Sequence, residues 1–358
     1  MITKLSLSNF RSYSHLELNL TPNINVIIGK NGHGKTNILE AIYFISNIRS
    51  HRTRNDLSMI KHDSEYARII IESQKNDKHN KIMSVIHSKG KYFSINNQSI
   101  KKTSEMLGMI NTVLFYPTET TLFSDSPSVR RNFFDVEIGK VSQIYTYNFQ
   151  TFNRLLKDRN QMLKREALDD ILFEMITSEM IDVQIEISKR RFILIQYINQ
   201  NIQAVLDKLL TQSIPINIQY KSTVVNQDRD ALKISYQKCK QRDIQLKATQ
   251  DGIHRDDYLI LSDDIEVSKV LSQGQIRMVL LAIKLVIVDF IYEKSGIKPI
   301  LLLDDVMSEL DADNQINLIN AIQDVQTIIT TTETLNIFEK QNVNNIHIVN
   351  SHIRNEEA

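Results

Sequence analysis

The segment Gly29-Lys30-Asn31-Gly32-His33-Gly34-Lys35-Thr36 matches the pattern GxxxxGK[ST]. An apolar run from Asn25 to Ile28 precedes it, and an amphipathic stretch from Ile38 to Ile45 follows it. This order of strand, loop and helix is the context in which the pattern binds phosphate. Its glycines let backbone N–H groups turn toward a phosphate, and the helix N-terminus adds partial positive charge. The segment therefore predicts a phosphate-binding loop in which Lys35 reaches the terminal phosphates and the Thr36 hydroxyl binds Mg²⁺.

A second apolar strand, Ile300 to Leu303, ends in two carboxylates, Asp304 and Asp305. Phosphoryl-transfer sites place a metal-binding carboxylate at the end of such a strand. We expect Asp304 to hold Mg²⁺ directly or through water, and Asp305 to orient or deprotonate the attacking water. The two segments together predict a complete site for nucleoside triphosphate hydrolysis.

Composition limits the remaining function classes. The chain has 358 residues, of which 42% are hydrophobic and 24% charged, as in ordinary globular proteins. No stretch approaches the roughly 18 apolar residues of a membrane span, and MITKLSLSNF lacks a signal-peptide core, so we expect a cytoplasmic protein without membrane contact. Cys239 is the single cysteine, which excludes internal disulfides and CxxC zinc sites.

The net charge and the positions of the glycines both indicate that ligand binding is confined to short segments of the chain. A net charge of +1 argues against binding nucleic acid through a uniformly basic surface, so any DNA contact must use local patches. The chain has 9 glycines, where average usage would give about 25. Five of them fall inside short motifs, at positions 29, 32, 34, 252 and 274. There we expect a side chain to obstruct a backbone turn or a ligand.

The periodicity of apolar residues predicts the architecture. Alternation from Leu5 to Leu20 indicates a strand hairpin, and further short strands lie on both sides of residues 140–214, which contain neither glycine nor proline. We expect that segment to form two long helices turning near 166–170, an antiparallel arm about 60 Å long. Its apolar stripes are equally typical of a helical subdomain with a structural core.

The fold class that follows is α/β: a core interrupted by an inserted helical arm. Both halves of the chain are needed to complete one sheet. We expect a head from 1–124, the arm from 125–214, the rest of the head from 215–350, and a disordered tail from 351–358.

Two further motifs narrow the class of fold. Ser272-Gln273-Gly274-Gln275 begins a predicted helix, and Ser308-Glu309-Leu310-Asp311 follows the paired carboxylates. In this order they resemble the signature (S-x-G-Q) and the D-loop (S-x-L-D) of ABC ATPases. The resemblance implies an ABC-type P-loop ATPase head, a mixed sheet with flanking helices and an antiparallel β subdomain. It also implies that the signature serine and glycine contact the γ-phosphate bound by a second copy.

Within that superfamily, motifs across nearly the whole chain resemble the RecF family. In the family's order they are Asn9-Phe10-Arg11-Ser12-Tyr13, GKNGHGKTNILEAIY from Gly29, Ser50-His51-Arg52, Ser126-Pro127-Ser128-Val129-Arg130-Arg131, Gly252-Ile253-His254-Arg255-Asp256-Asp257, SQGQ from Ser272 and LLLDDVMSELD from Leu301. The resemblance implies a cytoplasmic bacterial ATPase that uses ATP and Mg²⁺ and dimerises with ATP between its protomers. It also implies binding to double-stranded DNA near single-strand/double-strand junctions, and work with RecR and RecO to load RecA in DNA repair.

The motifs also assign roles to residues. The predicted catalytic residues are Lys35, Asp304, Asp305 and, in trans, Ser272. The predicted metal ligands are Thr36 and Asp304. The predicted nucleotide-binding residues are Gly29, Lys30, Asn31, Gly32, His33, Gly34, Lys35, Thr36, Asn37, Gly274 and Gln275, with Arg11 against the phosphates. Many ABC ATPases have glutamate where Asp305 stands, and the shorter side chain predicts slow, DNA-stimulated hydrolysis that serves a switch.

Several basic clusters are candidates for DNA contacts. Because no base-reading helix is evident, we expect salt-sensitive binding to the DNA backbone without sequence preference. Basic clusters are also commonly solvated faces. The candidates are Arg49, His51, Arg52, Arg54, Lys101, Lys102, Arg130, Arg131, Lys189, Arg190 and Arg191.

Three other functions compete with this interpretation. A cohesin-type or zinc-hook ATPase would carry a far longer coiled coil between its motifs, and the zinc-hook type a CxxC hook as well. The nucleotide-binding subunit of a transporter would lack the helical arm and would carry a switch histidine after the strand at Thr327, where Thr330 to Thr332 stand instead. A catalytically inactive scaffold would not need Lys35 together with both aspartates.

Overall fold

Three β-sheets organise the chain, which the computed structural model describes over residues 1–75, 78–101, 105–106, 108–165, 167–224, 228–334 and 343–354. The strands are β1 (Ile2–Phe10), β2 (Tyr13–Asn19), β3 (Ile24–Ile28), β4 (Tyr66–Lys75), β5 (Lys78–His87), β6 (Gly90–Ile95), β7 (Gln98–Ser99), β8 (Thr112–Phe115), β9 (Asn217–Lys221), β10 (Asp257–Ser262), β11 (Ile265–Glu266), β12 (Ile300–Leu303), β13 (Thr327–Thr331), β14 (Asn344–Val349) and β15 (His352–Ile353). The helices are α1 (Lys35–Asn47), α2 (Pro127–Val141), α3 (Gln143–Met162), α4 (Asp170–Leu209), α5 (Arg229–Leu246), α6 (Val267–Val270), α7 (Gln273–Ser295) and α8 (Ala312–Ala321).

The sheet that carries the phosphate-binding motif has the strand order β15-β14-β3-β13-β12-β8. Strand β3 pairs in parallel with β13 and β14, and β12 pairs in parallel with β13 and β8. All residues of β3 and β12 are buried, as expected for parallel strands covered on both faces. Strands from both halves of the chain complete this sheet, which confirms the prediction. The carboxyl ends of β3 and β12 therefore meet at one edge.

The second six-stranded sheet is antiparallel, in the order β2-β1-β4-β5-β6-β7. Leu5 faces Leu18 and Leu7 faces Leu16 across the β1–β2 pair, which confirms the predicted hairpin. The alternating apolar residues of these strands share one buried core with α1, in which Phe44 stacks on Phe93 at a ring-centroid distance of 6.0 Å. This shared core fixes the helix that follows the phosphate-binding loop.

The chain divides into two compact units. The first comprises residues 1–119, 205–212 and 277–358, and the second comprises 120–204 and 213–276. Helix α4 has 40 residues, about 60 Å at 1.5 Å per residue, which is the predicted arm length, whereas α3 has 20 residues and is about half as long. Of the turn predicted at 166–170, Glu166 lies outside the described residues.

The second unit is larger than the predicted arm. Residues 213–276, most of which we expected in the head, belong to it because β9, β10 and β11 pair only with one another in a separate three-stranded sheet. The tail prediction also needs correction: His352 and Ile353 form β15 against β14. The last four residues of that tail, 355–358, lie outside the described residues.

Candidate functional site

The phosphate-binding loop is shaped by glycine and by the N-terminal hairpin. Gly34 caps α1 in a left-handed conformation with φ 98°. A Cβ at this position would lie 2.9 Å from both Ser12 Oγ and Tyr13 Oη. Gly32 is also left-handed, with φ 83°, and its Cβ position faces open space. A side chain is thus excluded at Gly34 by conformation and by contact, as expected where backbone N–H groups must face a ligand.

Lys35 lies inside the loop with 7% of its surface exposed. Its Nζ donates to the carbonyl oxygens of Gly29 at 2.6 Å and Lys30 at 3.2 Å. An ammonium group has three donors, so one is left for another acceptor. Burial lowers the pKa of the Lys35 ammonium, while the carboxylates of Asp305 and Asp304 oppose that shift.

The end of β12 brings Asp304 to the start of α1, as the sequence predicts. Thr36 Oγ1 donates to Asp304 Oδ1 at 3.0 Å, and Thr330 Oγ1 donates to the same oxygen at 2.7 Å. Burial raises the pKa of the Asp304 carboxyl, and the hydrogen bonds from Thr330 and Thr36 partly offset that effect. A hydroxyl and a carboxylate in contact form the oxygen-donor pair that Mg²⁺ prefers.

Asp305 adopts a strained backbone conformation beside this pair. Its φ is 51°, in the left-handed region that non-glycine residues occupy at a cost of about 1–3 kcal/mol. The Asp305 N–H donates to Thr330 Oγ1 at 3.0 Å and holds the turn. Asp305 Oδ1 is buried and has no hydrogen-bond partner among the described residues. A buried carboxylate oxygen without a donor is suited to receive a proton or a water hydrogen bond from a ligand.

The predicted signature motif forms the N-terminal cap of α7. Ser272 Oγ accepts the N–H of Gln275 at 3.3 Å, and Gln275 Oε1 accepts the N–H of Ser272 at 2.9 Å. This reciprocal pair is a capping box. Because Ser272 Oγ acts as an acceptor here, its hydroxyl hydrogen stays available. Ser272 and Gly274 are exposed, and a Cβ at Gly274 would meet nothing within 4 Å.

Comparison with known proteins shows similarity over nearly the whole chain that carries these motifs. The family model of the RecF/RecN/SMC N-terminal domain matches residues 1–355. The DNA replication and repair protein RecF of Bacillus pumilus is 37% identical over 343 residues, 92% of this chain and 93% of that protein. The RecF of Listeria monocytogenes is 36% identical over 347 residues, 94% of each chain.

The chain belongs to the RecF family. The solved structure of the recombination mediator protein RecF with ATP in the RecFOR pathway has 28% identity and a TM-score of 0.88, covering 99% of this chain and 96% of that one. An SMC head bound to the C-terminal winged-helix domain of ScpA has 16% identity and a TM-score of 0.59, and shares the fold.

These matches confirm the ABC ATPase fold predicted from the motifs and exclude the transporter interpretation. Within the part of the chain that the structure describes, we find no helix with the length and apolarity of a membrane span.

The arginine of the RecF-type opening motif has protein partners. Arg11 donates through Nε and Nη2 to both oxygens of Glu40, at 2.9 and 2.6 Å, and through Nη1 to the Ser58 carbonyl at 2.8 Å. All three guanidinium nitrogens are therefore engaged. These bonds use three of its five N–H donors, so the phosphate contact of Arg11 stays a prediction. Among the other loop residues, His33 Nδ1 lies 3.1 Å from the Ile348 carbonyl oxygen.

Glu40 is a residue that the sequence interpretation missed. Its carboxylate is fully buried and also accepts a hydrogen bond from Ser50 Oγ at 2.5 Å. A signal was present: a single acid interrupts the otherwise apolar run from Ile38 to Ile45. Because nearly all of α1 is buried, a charge there must find partners inside the protein.

The basic residues after α1 differ in their availability. Arg49 and Arg54 are exposed, and no partner for either is found in the described parts of the chain. Arg52 is exposed but donates to Asn37 Oδ1 at 3.0 Å and lies 3.5 Å from Glu40. His51 packs between Tyr43 and Tyr116, and burial lowers its pKa to about 4. It is therefore neutral at pH 7 and unsuited to hold a phosphate.

Three of the predicted DNA-binding arginines have protein partners within the second unit, and their DNA contacts stay predictions. Arg130 forms a two-point ion pair with Asp257, at 2.7 and 2.9 Å, and Arg131 donates to the Asp256 carbonyl. Arg191 is 1% exposed and bridges Asp135 and Asp256, each at 2.8 Å. These contacts join the two RecF-type motifs around Arg130 and Asp256 within the second unit. In this chain both motifs thus contribute to one ion-pair network, which sequence alone did not reveal.

The remaining candidates for DNA contacts have weak or no ion pairs among the described residues. Lys101 is exposed, and Lys102 lies outside the described residues. Lys189 and Arg190 both pair with Glu186, at 3.2 and 3.9 Å. Surface pairs of this kind contribute about 0–1 kcal/mol and can exchange for another anion.

Proposed function

We propose that this chain is an ATP-dependent DNA-binding protein of recombinational repair and replication-fork maintenance, with ATP binding closing a homodimer on duplex DNA near gaps. The observation that carries the proposal is the contact of Thr36 with Asp304 beside the unpaired oxygen of Asp305. RecF relatives with ATP and of the RecFOR pathway support the choice of ligand and pathway. We extend to this chain the partners RecR and RecO and the loading of RecA.

The residues present fit ATP with Mg²⁺. Gly34 leaves backbone N–H groups free of side chains, Lys35 keeps one ammonium donor, and Thr36 and Asp304 offer hydroxyl and carboxylate oxygens. Bound at Thr36 and Asp304, Mg²⁺ would neutralise charge on the phosphate oxygens. The chain contributes the loop dipoles and the Lys35 charge, which hold the triphosphate in place.

Asp305 is the residue that we assign to the attacking water. Its free Oδ1 can accept a proton from water, and the hydrogen bond from its N–H to Thr330 fixes its position. The aspartate is one methylene shorter than glutamate, which favours slow turnover. We further propose that DNA stimulates this turnover. Hydrolysis then resets the dimer. Turnover of tens per second in the presence of DNA would contradict this part of the proposal.

The dimer follows from the position of Ser272. Its side chain is exposed. Its oxygen accepts the N–H of Gln275 at the helix N-terminus, which leaves the hydroxyl hydrogen available to a ligand. The start of α7 thus presents N–H groups and a hydroxyl to solvent, a ready site for anion binding. We assign its target to the γ-phosphate held by the Lys35 of a second copy.

DNA binding is assigned to the exposed arginines after α1. Arg49 and Arg54 carry uncompensated charge, and Arg52 joins them at the surface. Contacts to phosphate would give affinity without sequence preference and with strong salt dependence. Arg191, which is 1% exposed, is left out of this assignment.

Sedimentation velocity with and without ATP and a DNA duplex tests the proposal. Wild type should become a dimer with ATP and should bind duplex as that dimer. Lys35→Met and Ser272→Arg should stay monomeric, and circular dichroism should show both folded. Lys233→Met, which changes an exposed lysine of α5, is the matched control and should behave as wild type. A wild-type protein that stays monomeric and fails to bind DNA with saturating ATP would exclude the clamp.

A further inference from the structure

One buried carboxylate collects donors from two separate segments of the first unit. Glu40 lies on α1, one turn after Thr36, with a fully buried side chain. Arg11 from the β1–β2 turn and Ser50 from the segment after α1 donate to it at 2.5–2.9 Å. Arg52 Nη1 lies 3.5 Å from its Oε2. The carboxylate therefore ties the N-terminal hairpin and residues 49–54 to the helix that begins at the phosphate-binding loop.

The ionised state of Glu40 depends on its hydrogen-bond and ion-pair partners. A buried charge is stable only when paired and hydrogen-bonded, and Glu40 has an ion pair together with a hydroxyl donor. Burial alone would raise the pKa of its carboxyl, but the hydrogen bonds from Arg11 and Ser50 outweigh burial and lower it. Glu40 is thus ionised at neutral pH. Removing the charge would leave Arg11, which is 20% exposed, without its principal partner.

Ser50 extends the effect of Glu40 to the backbone of the basic segment. While its hydroxyl donates to Glu40, its oxygen accepts the N–H groups of Arg52 at 2.9 Å and Thr53 at 3.2 Å. These local bonds fix the turn from which Arg49 and Arg54 project into solvent. The direction of the exposed arginines therefore depends on the carboxylate.

Arg52 connects the same segment to the nucleotide loop. Its Nη1 donates to Asn37 Oδ1 at 3.0 Å, and Asn37 directly follows Thr36. Asn37 Nδ2 in turn donates to Ser12 Oγ at 3.0 Å, and Ser12 lies against Gly34. A ligand that orders the phosphate-binding loop therefore also orders Asn37, the partner of Arg52.

We infer that Glu40 is a positioning residue that couples nucleotide binding in the loop to phosphate binding by residues 49–54. The inference rests on the proposed function, because it requires ATP in the loop and DNA phosphates at Arg49 and Arg54. When ATP orders Thr36 and Asn37, Asn37 keeps Arg52 in place. Glu40 and Ser50 then keep the turn at residues 49–54 in the conformation that binds DNA. Coupling of this kind is reciprocal, so bound DNA tightens ATP binding by the same factor.

The test measures the Kd for a short fluorescent duplex with saturating ATP and without nucleotide, in the full-length protein. The ratio of the two values reports coupling, for which a factor of about 5–150 is typical. In Glu40→Gln and in Ser50→Ala we expect the ratio to fall at least about fivefold, while the Kd for ATP without DNA changes less than about twofold. Glu17→Gln is the matched control, since Glu17 is an exposed acid paired with Lys4 at 2.8 Å, and its ratio should equal that of wild type.

The outcomes separate this inference from the proposed function. Glu40→Asp keeps the charge with a shorter reach and should restore part of the ratio. If both Glu40→Gln and Ser50→Ala retain the wild-type ratio, or if they weaken ATP binding itself by the same factor as DNA binding, the coupling role is overturned. A wild type in which ATP leaves DNA affinity unchanged overturns the proposed function as well, whereas a loss confined to the variants supports the inference.

Discussion

Thr36 Oγ1 and Asp304 Oδ1 are 3.0 Å apart, although 268 positions separate the two residues in the chain. The contact exists because β3 and β12 are parallel and flank β13, so their carboxyl ends share one edge of the sheet. Parallel α/β sheets bind ligands at that edge. The chemistry of the site thus depends on the register of strands that lie far apart in the chain.

Asp305 should control hydrolysis without controlling assembly. In Asp305→Asn the side chain can no longer accept a proton, and we expect ATP turnover to fall by about 10²–10⁴-fold. ATP binding and the ATP-dependent dimer should persist, and the dimer should live longer. Phosphate release and sedimentation measure the two effects, with Asp313→Asn, an exposed acid of α8, as control. Equal loss of dimer and turnover would argue against the assigned role.

Asp304 should destabilise the nucleotide-free fold at neutral pH. Burial raises its pKa above the ordinary 3.8, so the ionised form costs native stability, and this cost appears as pH rises through the native pKa. Asp304→Asn keeps an oxygen for Thr36 and Thr330 but carries no charge. We therefore expect a higher Tm than wild type at pH 7, and no difference below pH 3.8. Thermal unfolding across this pH range decides the matter, and a lower Tm for the variant at pH 7 would contradict it.

Arg191 should matter for stability rather than for DNA. Arg191→Met leaves Asp135 and Asp256 buried without their cation, which costs about 3–5 kcal/mol. Lys189→Met changes a side chain that is 64% exposed and should stay within about 0.5 kcal/mol of wild type. Urea unfolding of the full chain measures both. A stable Arg191→Met protein with weakened DNA binding would return Arg191 to the DNA interface.

Arg54 should contribute to DNA affinity through charge alone. Because its exposed guanidinium has no partner in the described residues, Arg54→Ala should weaken duplex binding equally for different sequences. Loss of one phosphate contact should reduce the slope of log Kd against log salt by about 1. Fluorescence titration at several salt concentrations checks this, with Lys233→Ala as control. An unchanged slope would remove Arg54 from the interface.

Residues whose chemistry is local in the chain could be predicted from sequence. The glycines before Lys35 and the carboxylates after Leu303 each follow an apolar strand, and a single topological rule brings them together. The partners of Arg130, Arg131 and Arg191 could not be predicted, because Asp135, Asp256 and Asp257 lie up to 127 positions away in the chain. A basic residue on a predicted helix gives no sign of whether it faces solvent or a buried acid. For the same reason Glu40 was missed, although its position in an apolar helix was visible.

Mixing two inactive variants tests the shared active site most directly. Lys35→Met lacks the phosphate-binding ammonium, and Ser272→Arg lacks the signature hydroxyl, so neither should dimerise or hydrolyse ATP alone. If Ser272 acts on the partner's nucleotide, each mixed dimer has one intact composite site of two, and because only mixed dimers form, an equimolar mixture should restore up to about half of wild-type activity per protein. A mixture no more active than its separate components would show that Ser272 does not complete the site of a second copy.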